Sequence, residues 1–286
     1  MLQQQVETNS ASRLLTGSRE SQSGRNRAYE DRIRNFYDAV SRRARATHAT
    51  HYMNMGYWLE NPRSLDEACE AMARFFGEFA ELGGQDRILD AGCGFGDQDI
   101  YWAAQNRPKE IVGLNISPIQ VEAAQQRIGA LGLQDRIAIH LGSATDIPFP
   151  DASFNKVLAL ESAQHFGTRE DFFREAFRVL TPGGSLYTTD IIPLPGANLG
   201  KLALQMMTLN EDNLYPRGVY AQKLTEAGFT AVKVTSIREI VLVPFKKYMD
   251  DTNKDASLVE RLRRKIRKVL APTHKMDYVL ASAGKP

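Results

Sequence analysis

Residues 88–96 read Ile-Leu-Asp-Ala-Gly-Cys-Gly-Phe-Gly, so a short apolar run ends on the carboxylate of Asp90 and passes into glycines at positions 92, 94 and 96. Glycine admits backbone angles closed to other residues and lets a ligand approach the main chain. A helix that begins just after such a loop offers free N–H groups and the positive end of its dipole to an anionic group. Asp90 adds negative charge at the same place. Together these suit a ligand head that carries both signs of charge, whereas a pyrophosphate would be repelled by the carboxylate. The G-x-G-x-G spacing also brings the third glycine one position earlier than the dinucleotide pattern does. A tight strand-to-helix turn with no ligand is the bland alternative.

A second polar group follows another apolar run: Leu158-Ala159-Leu160 leads into Glu161, Ser162, Gln164 and His165. A neutral imidazole accepts a proton near neutral pH, so His165 either takes one from a substrate hydroxyl or fixes its loop through backbone bonds. Glu161 either touches a ligand or orients that loop. Tyr52, Tyr57 and Trp58 stand in an aromatic segment. They either wall or close a site, stabilising developing positive charge, or pack in the core. His48 and His51 are three apart, but no third ligand with diagnostic spacing accompanies them, so no metal site is expected.

The elements that must position these groups follow an alternating order. Strands are expected at Arg87–Asp90, Ile111–Asn115, Ile137–Leu141, Lys156–Leu160 and Ser185–Ile191, with helices at Asp97–Ala104, Pro118–Leu131 and Arg169–Val179. Strand–helix alternation predicts an α/β fold, a doubly wound, mostly parallel sheet of the Rossmann-like kind. Pro182-Gly183-Gly184 turns the chain into the fifth strand. Ala231–Val243 and Met276–Ala281 read as terminal strands after a helix at Val219–Ala227. Residues 1–28, rich in Gln, Ser, Asn and Arg, read as a mobile arm. Residues 29–83 form a helical lid region, with Ile33, Phe36, Tyr37 and Val40 on one helix face and Ser64 capping a later helix with Glu67 in the capping-box position. The remainder, 84–286, is the core, with a cap inserted at about 193–218 that carries Met206 and Met207.

The chain has 286 residues, 43% hydrophobic and 24% charged, with a formal net charge of +2. It is long enough to bury a large core, and its net charge opposes a general nucleic-acid binder. The two cysteines, Cys69 and Cys93, fit neither a zinc site nor a disulfide framework, which favours a reducing, cytoplasmic setting. No integral membrane segment is expected, since no apolar run is long enough. One local exception to the charge balance stands out: six of the eight residues 261–268 are basic and Leu258, Leu262, Ile266 and Val269 recur at helical spacing. That amphipathic segment is a solvated face, a surface for an acidic membrane or partner, or a grip for a diphosphate.

From about residue 50 to 286 the sequence resembles the class I S-adenosylmethionine-dependent methyltransferases, in the small-molecule branch of ubiquinone/menaquinone-type C-methyltransferases and natural-product sugar or polyketide methyltransferases. The resemblance rests on the Asp90–Gly96 loop at the first strand of the alternating pattern and on the lid and later elements around it. It implies a seven-stranded sheet and S-adenosylmethionine as cofactor. Asp90, Gly92, Gly94 and Gly96 would hold the methionine portion and Asn115 would face the ribose. Ala144 and Thr145 would lie near the adenine, and Tyr52 in the lid would close over the cofactor; Asp146 and Ile147 either add an adenine amine acceptor and an apolar ring contact or serve only the turn. Family members often carry an acidic residue where this chain has Asn115, whose carbonyl accepts one hydrogen bond while its amide donates; the alternative is that Asn115 caps the turn before Ser117. The resemblance also implies a small-molecule acceptor, methylated at a hydroxyl with His165 as base. The alternative is C-methylation of a prenyl chain through a carbocation, drawing on the aromatic lid and the basic helix; Tyr57 and Glu161 are the further catalytic candidates beside His165. A homo-oligomer stays open, through exchange of the N-terminal arm.

Overall fold

The computed structural model describes residues 26–42, 51–251 and 273–286. Most of the arm at 1–28, His48 and the basic segment at 258–270 lie outside the described residues. Seven strands are present: β1 (Arg87–Ala91), β2 (Glu110–Asn115), β3 (Ile137–Leu141), β4 (Phe154–Leu160), β5 (Leu180–Pro193), β6 (Thr230–Ser236) and β7 (Met276–Gly284). They form one sheet in the order β3-β2-β1-β4-β5-β7-β6. All pair in parallel except β7, which runs antiparallel to both β5 and β6. The α/β class and the mostly parallel seven-stranded sheet agree with the sequence.

The reason for that architecture is visible in the strands. Successive residues of β1 and β4 enter opposite cores: Ile88, Leu158 and Leu160 pack on one face, and Leu89, Val157 and Ala159 on the other. A strand buried on both faces must be covered on both. On the first face lie α2 (Leu65–Phe79), α3 (Asp97–Gln105) and α4 (Pro118–Ala130), which contribute Met72, Phe76, Trp102, Ala124 and Ile128. On the other lie α5 (Arg169–Val179) and α7 (Arg217–Glu226), which contribute Phe172, Phe173, Ala176, Tyr220 and Leu224. Strand order reverses between β1 and β4, and an open sheet binds ligands at the carboxyl ends of the strands flanking such a switch.

Three further helices border that edge. The first, α1, spans residues 26–42. The others are α6 (Lys201–Met207), inside the cap insertion, and α8 (Leu242–Asp251). Ser64 caps α2 by accepting from the Glu67 N–H at 3.1 Å, but Glu67 reaches back to the Arg63 N–H, one residue before the cap. The strand expected over Ala231–Val243 is too long. It ends at Ser236 and the chain turns into α8, because the Ile240-Val241-Leu242 run packs into the core beside the lid segment and does not extend the ladder. Cys69 and Cys93 are both free and buried.

Candidate active site

A cleft of about 850 Å³, counted to its open mouth, lies at the carboxyl edge of β1, β2 and β4. Its floor is the glycine loop. Gly92 takes a φ of +85°, and a Cβ there would stand 2.4 Å from Ser162 Cβ, so only glycine lets the β1 loop close against the β4 loop. The Ser162 hydroxyl completes that closure by donating to the Ala91 carbonyl at 2.6 Å. Gly94, at φ +59°, has a different surrounding: a Cβ would meet nothing nearer than Met53 Cγ at 3.8 Å, so the backbone here faces open space. Gly96 caps α3 in the left-handed conformation and does not line the cleft.

Asp90 also does not line the cleft. It is fully buried behind Gln98, whose Nε2 donates to Asp90 Oδ2 at 2.9 Å and to the Cys93 carbonyl at 3.1 Å. Asn115 lines the cleft, but both its amide hydrogens are spent on the loop, on Gly94 O at 3.0 Å and Gln120 Oε1 at 2.8 Å. Its Oδ1 accepts from the Ser117 N–H. Gln120 is buried beside it with Nε2 unpartnered and at the cleft, an orphaned donor suited to an oxygen of a bound ligand. Ala144 lines the adjoining wall. Thr145 stands just outside, its hydroxyl donating to Glu30 Oε1 at 2.7 Å. Asp146 is exposed, and Ile147 belongs to the core.

Glu30 comes from α1 and also accepts from the Ser143 hydroxyl at 2.6 Å. On the same helix, Asp38 accepts from Ser117 Oγ at 2.5 Å and Tyr37 meets the His165 ring edge-on at 5.6 Å. Thus α1 lies across the mouth and joins the β2 and β3 ends to the β4 loop. None of Glu30, Gln98 or Gln120 was singled out from sequence. Gln120 and Gln98 each left one trace, an amide in the first turn of a helix, and only the fold shows that it is buried.

The opposite end of the cleft is built on β4. Glu161 is held in the left-handed conformation at φ +52°, and its N–H bonds to Thr189. Its Oε1 accepts from the Met55 N–H at 2.7 Å and the Tyr278 hydroxyl at 2.6 Å. Burial pushes this carboxyl up to about 7, and those two hydrogen bonds only partly oppose the shift. His165 ends a 3-10 turn, half-buried in the cleft wall. Its Nδ1 lies 3.0 Å from the Thr208 carbonyl oxygen. A carbonyl only accepts, so the ring hydrogen sits on Nδ1 and Nε2 carries the lone pair of the neutral imidazole. Burial lowers the His165 pKa and favours that neutral form. Thr208, the left-handed cap of α6, accepts from the Tyr29 hydroxyl of α1 as well, at 2.7 Å.

The aromatic lid residues are mostly engaged elsewhere. Tyr57 is buried and stacked on Phe75 at 4.6 Å, and Trp58 bonds the Met55 carbonyl and packs on Tyr248, so the structure does not bring Tyr57 to the cleft. Tyr52 is half-buried near Asp97 and outside the cleft lining. Among the described residues no group of three metal-ligating side chains occurs, and no helix is long and apolar enough to cross a membrane.

The raised Glu161 carboxyl makes a prediction about stability. The folded chain holds this proton up to about pH 7, against about 4.5 for an ordinary glutamate. The group therefore costs nothing below the unfolded value, and stability is lost as pH rises from about 4.5 to about 7, where the loss is complete. Glu161→Gln keeps an oxygen for Met55 and Tyr278 without the charge. Urea unfolding at pH 8.5 should find the variant more stable by about 3 kcal/mol, and at pH 3.5, below the unfolded value, equal to wild type. Equal gains at both values would rule out the titration.

Comparison with known proteins follows the same geometry. A family model described as a methyltransferase domain matches residues 89–188, the span from β1 into β5. The erythromycin 3''-O-methyltransferase of Saccharopolyspora erythraea is 37% identical over 89% of this chain and 90% of its own length. The chain belongs to the S-adenosylmethionine-dependent small-molecule methyltransferases. The 27-O-demethylrifamycin SV methyltransferase of Amycolatopsis mediterranei is 34% identical over 62% of this chain and 65% of its own. Among solved structures, the geranyl diphosphate C-methyltransferase of Streptomyces coelicolor superimposes with a TM-score of 0.70 over 90% of this chain and 98% of that one, at 19% identity. That likeness concerns the fold. This methyltransferase uses S-adenosylmethionine, and its cleft fits the group: open glycine backbone at Gly94, an orphaned amide donor at Gln120 and a buried carboxyl at Asp90 behind Gln98.

Proposed function

We propose that this methyltransferase methylates a hydroxyl group on an oxygenated polyketide or polyketide glycoside, with His165 as general base. The observation that carries the reading is the Thr208 carbonyl on His165 Nδ1, which leaves Nε2 as a proton acceptor at the cleft. S-adenosylmethionine, when bound, supplies a methyl group activated by a sulfonium leaving group. The acceptor oxygen forms the new bond to the methyl carbon, the C–S bond pair goes to sulfur, and the hydroxyl proton goes to His165 Nε2. Aligning the reactants is the larger part of such a displacement. The chain's share is to hold the loop at 92–96, to keep α1 over the mouth and to take the proton.

Two things support the acceptor class. A groove between α1 and the cap, lined by Tyr29, Arg32, Ile33, Leu204, Thr208 and Leu209, adjoins the cleft at Ile33 and has room for a bulky body. The relatives named for erythromycin and rifamycin substrates act on molecules of that kind. The prenyl alternative does not find its aromatic wall in the lid segment, because Tyr57 and Trp58 are packed elsewhere; the aromatic rings that line the cleft include Tyr37, Phe95 and Phe166. Incubation with isotopically labelled S-adenosylmethionine, a panel of hydroxylated polyketide glycosides and a panel of prenyl diphosphates separates the two. The expected product carries the label as an O-methyl signal in NMR. Label on carbon of a prenyl chain would overturn the reading.

A further inference from the structure

Asp90 and Asp99 are both completely buried, on β1 and in the first turn of α3. Asp90 Oδ1 and both oxygens of Asp99 find no N–H or O–H donor, and the two carboxyls meet each other. Two carboxyls in contact in a dry interior cannot both ionise and keep a proton between them. Burial and the neighbouring Asp90 drive Asp99 well above the usual carboxylate range, so Asp99 keeps the proton and Asp90, which burial raises less because Gln98 and Asp99 oppose it, is the member of the pair that ionises. The other groups facing the pair do not supply a cation. Asp97 is claimed by Arg127 of α4 at 2.7 Å, and burial keeps the Cys93 thiol protonated.

The hydrogen-bond partner of Asp90 is Gln98, which lines the cleft. Its amide nitrogen is fixed by two acceptors, Asp90 Oδ2 and the Cys93 carbonyl. The amide therefore cannot turn over while Asp90 is ionised, and Oε1 is the atom left for a ligand. We propose that Gln98 accepts a hydrogen bond from the ammonium group of the cofactor's methionine portion, and that Asp99 is a positioning residue that keeps Asp90 an acceptor and so holds the Gln98 amide in that orientation. The charge of Asp90 acts from one layer further back. The inference rests on the family's cofactor and not on the choice of acceptor, so it stands or falls separately from the O-methylation reading.

The test uses calorimetric binding to the full chain, with S-adenosylhomocysteine and with 5′-methylthioadenosine, which lacks the amino-acid portion. Gln98→Leu should weaken S-adenosylhomocysteine about ten- to hundredfold, the range for losing a hydrogen bond to a charged group, and leave 5′-methylthioadenosine unchanged. Equal weakening of both would mean that Gln98 merely supports the loop, and would overturn the proposal. A pH series reads Asp99. In the wild type, S-adenosylhomocysteine affinity falls as pH drops through about 7, where Asp90 takes up a proton and can donate to the amide. Asp99→Asn still donates to Asp90 and leaves that fall in place. Asp99→Leu removes the donor that keeps Asp90 ionised, so the fall moves to higher pH. Glu161 also titrates near 7 in this cleft, but it is untouched by either change. Coincident profiles for Asp99→Leu and wild type would sink the positioning role. Should Asp99→Leu not fold, the Gln98→Leu comparison decides alone.

Discussion

His165→Ala is expected to lower turnover by about a hundred- to ten-thousandfold, the usual contribution of a positioned general base, while S-adenosylhomocysteine affinity changes by no more than a few-fold. The imidazole stands at the β4 loop, whereas Asn115 and Ala144, proposed to face the adenosine, stand at the β2 and β3 ends, so the imidazole can go without disturbing that wall. Alanine also removes the bond to the Thr208 carbonyl, and a companion substitution separates the two losses. In His165→Asn the side-chain amide takes the place of Nδ1 and can still donate to Thr208, but nothing replaces Nε2. Turnover as low as in the alanine variant is expected, with unfolding close to wild type. Recovery of turnover in His165→Asn would assign His165 to loop fixation only. Wild-type turnover should fall on the acid side below the ordinary imidazole value of about 6.5, because burial lowers this group's pKa. That limb should vanish from the residual rate of both variants.

Arg169→Met should destabilise the fold by about 3–5 kcal/mol, the cost of leaving one member of a buried ion pair unpaired. Arg169 and Asp190 are both fully buried, joined by Nε to Oδ2 at 2.7 Å and Nη2 to Oδ1 at 3.0 Å. The guanidinium also donates to the carbonyls of Ile191 and Asn213 and lies between the Tyr215 and Tyr220 rings. Asn213 in turn accepts from the Arg169 N–H and donates to the Phe166 carbonyl. One side chain thus ties β5, the cap and the loop after β4. Removing the charge on both sides, in Arg169→Met with Asp190→Asn, should recover part of the loss in a denaturant titration. A double variant no more stable than the single one would show that Arg169 acts through its carbonyl bonds and not through Asp190.

What could be read in the sequence was what depends on neighbours along the chain. The β1 strand, its glycine loop and α3 lie within 19 consecutive residues, 87–105, and their alternation and spacing specify them. The post-β4 position of His165 is local in the same sense. Asp90 reads as a ligand contact because it is charged beside the loop, yet the pleat turns its carboxyl beneath the loop toward Asp99. Glu30 and Ser143 are 113 residues apart, and the Thr208 carbonyl is 43 from His165. Such pairings are set by how α1 and the cap fold back, and a backbone oxygen leaves no mark on residue type. Tyr57 was ambiguous for another reason: a tyrosine that stacks in a core and one that walls a site have the same local pattern, and the close approach of Gly56 to Ala68 decides between them by drawing the segment onto α2.

The group that sets the tautomer of His165 is a main-chain carbonyl on the left-handed cap of α6. That bond does not depend on which side chains α6 carries. Lys201 and Gln205, the exposed α6 residues that line the groove, can therefore be changed to remould it without altering which nitrogen of His165 carries the hydrogen. On the proposed reading, acceptor choice and proton transfer rest on different atoms of the cap, so a library confined to Lys201 and Gln205 should shift preference among acceptors before it erodes catalysis.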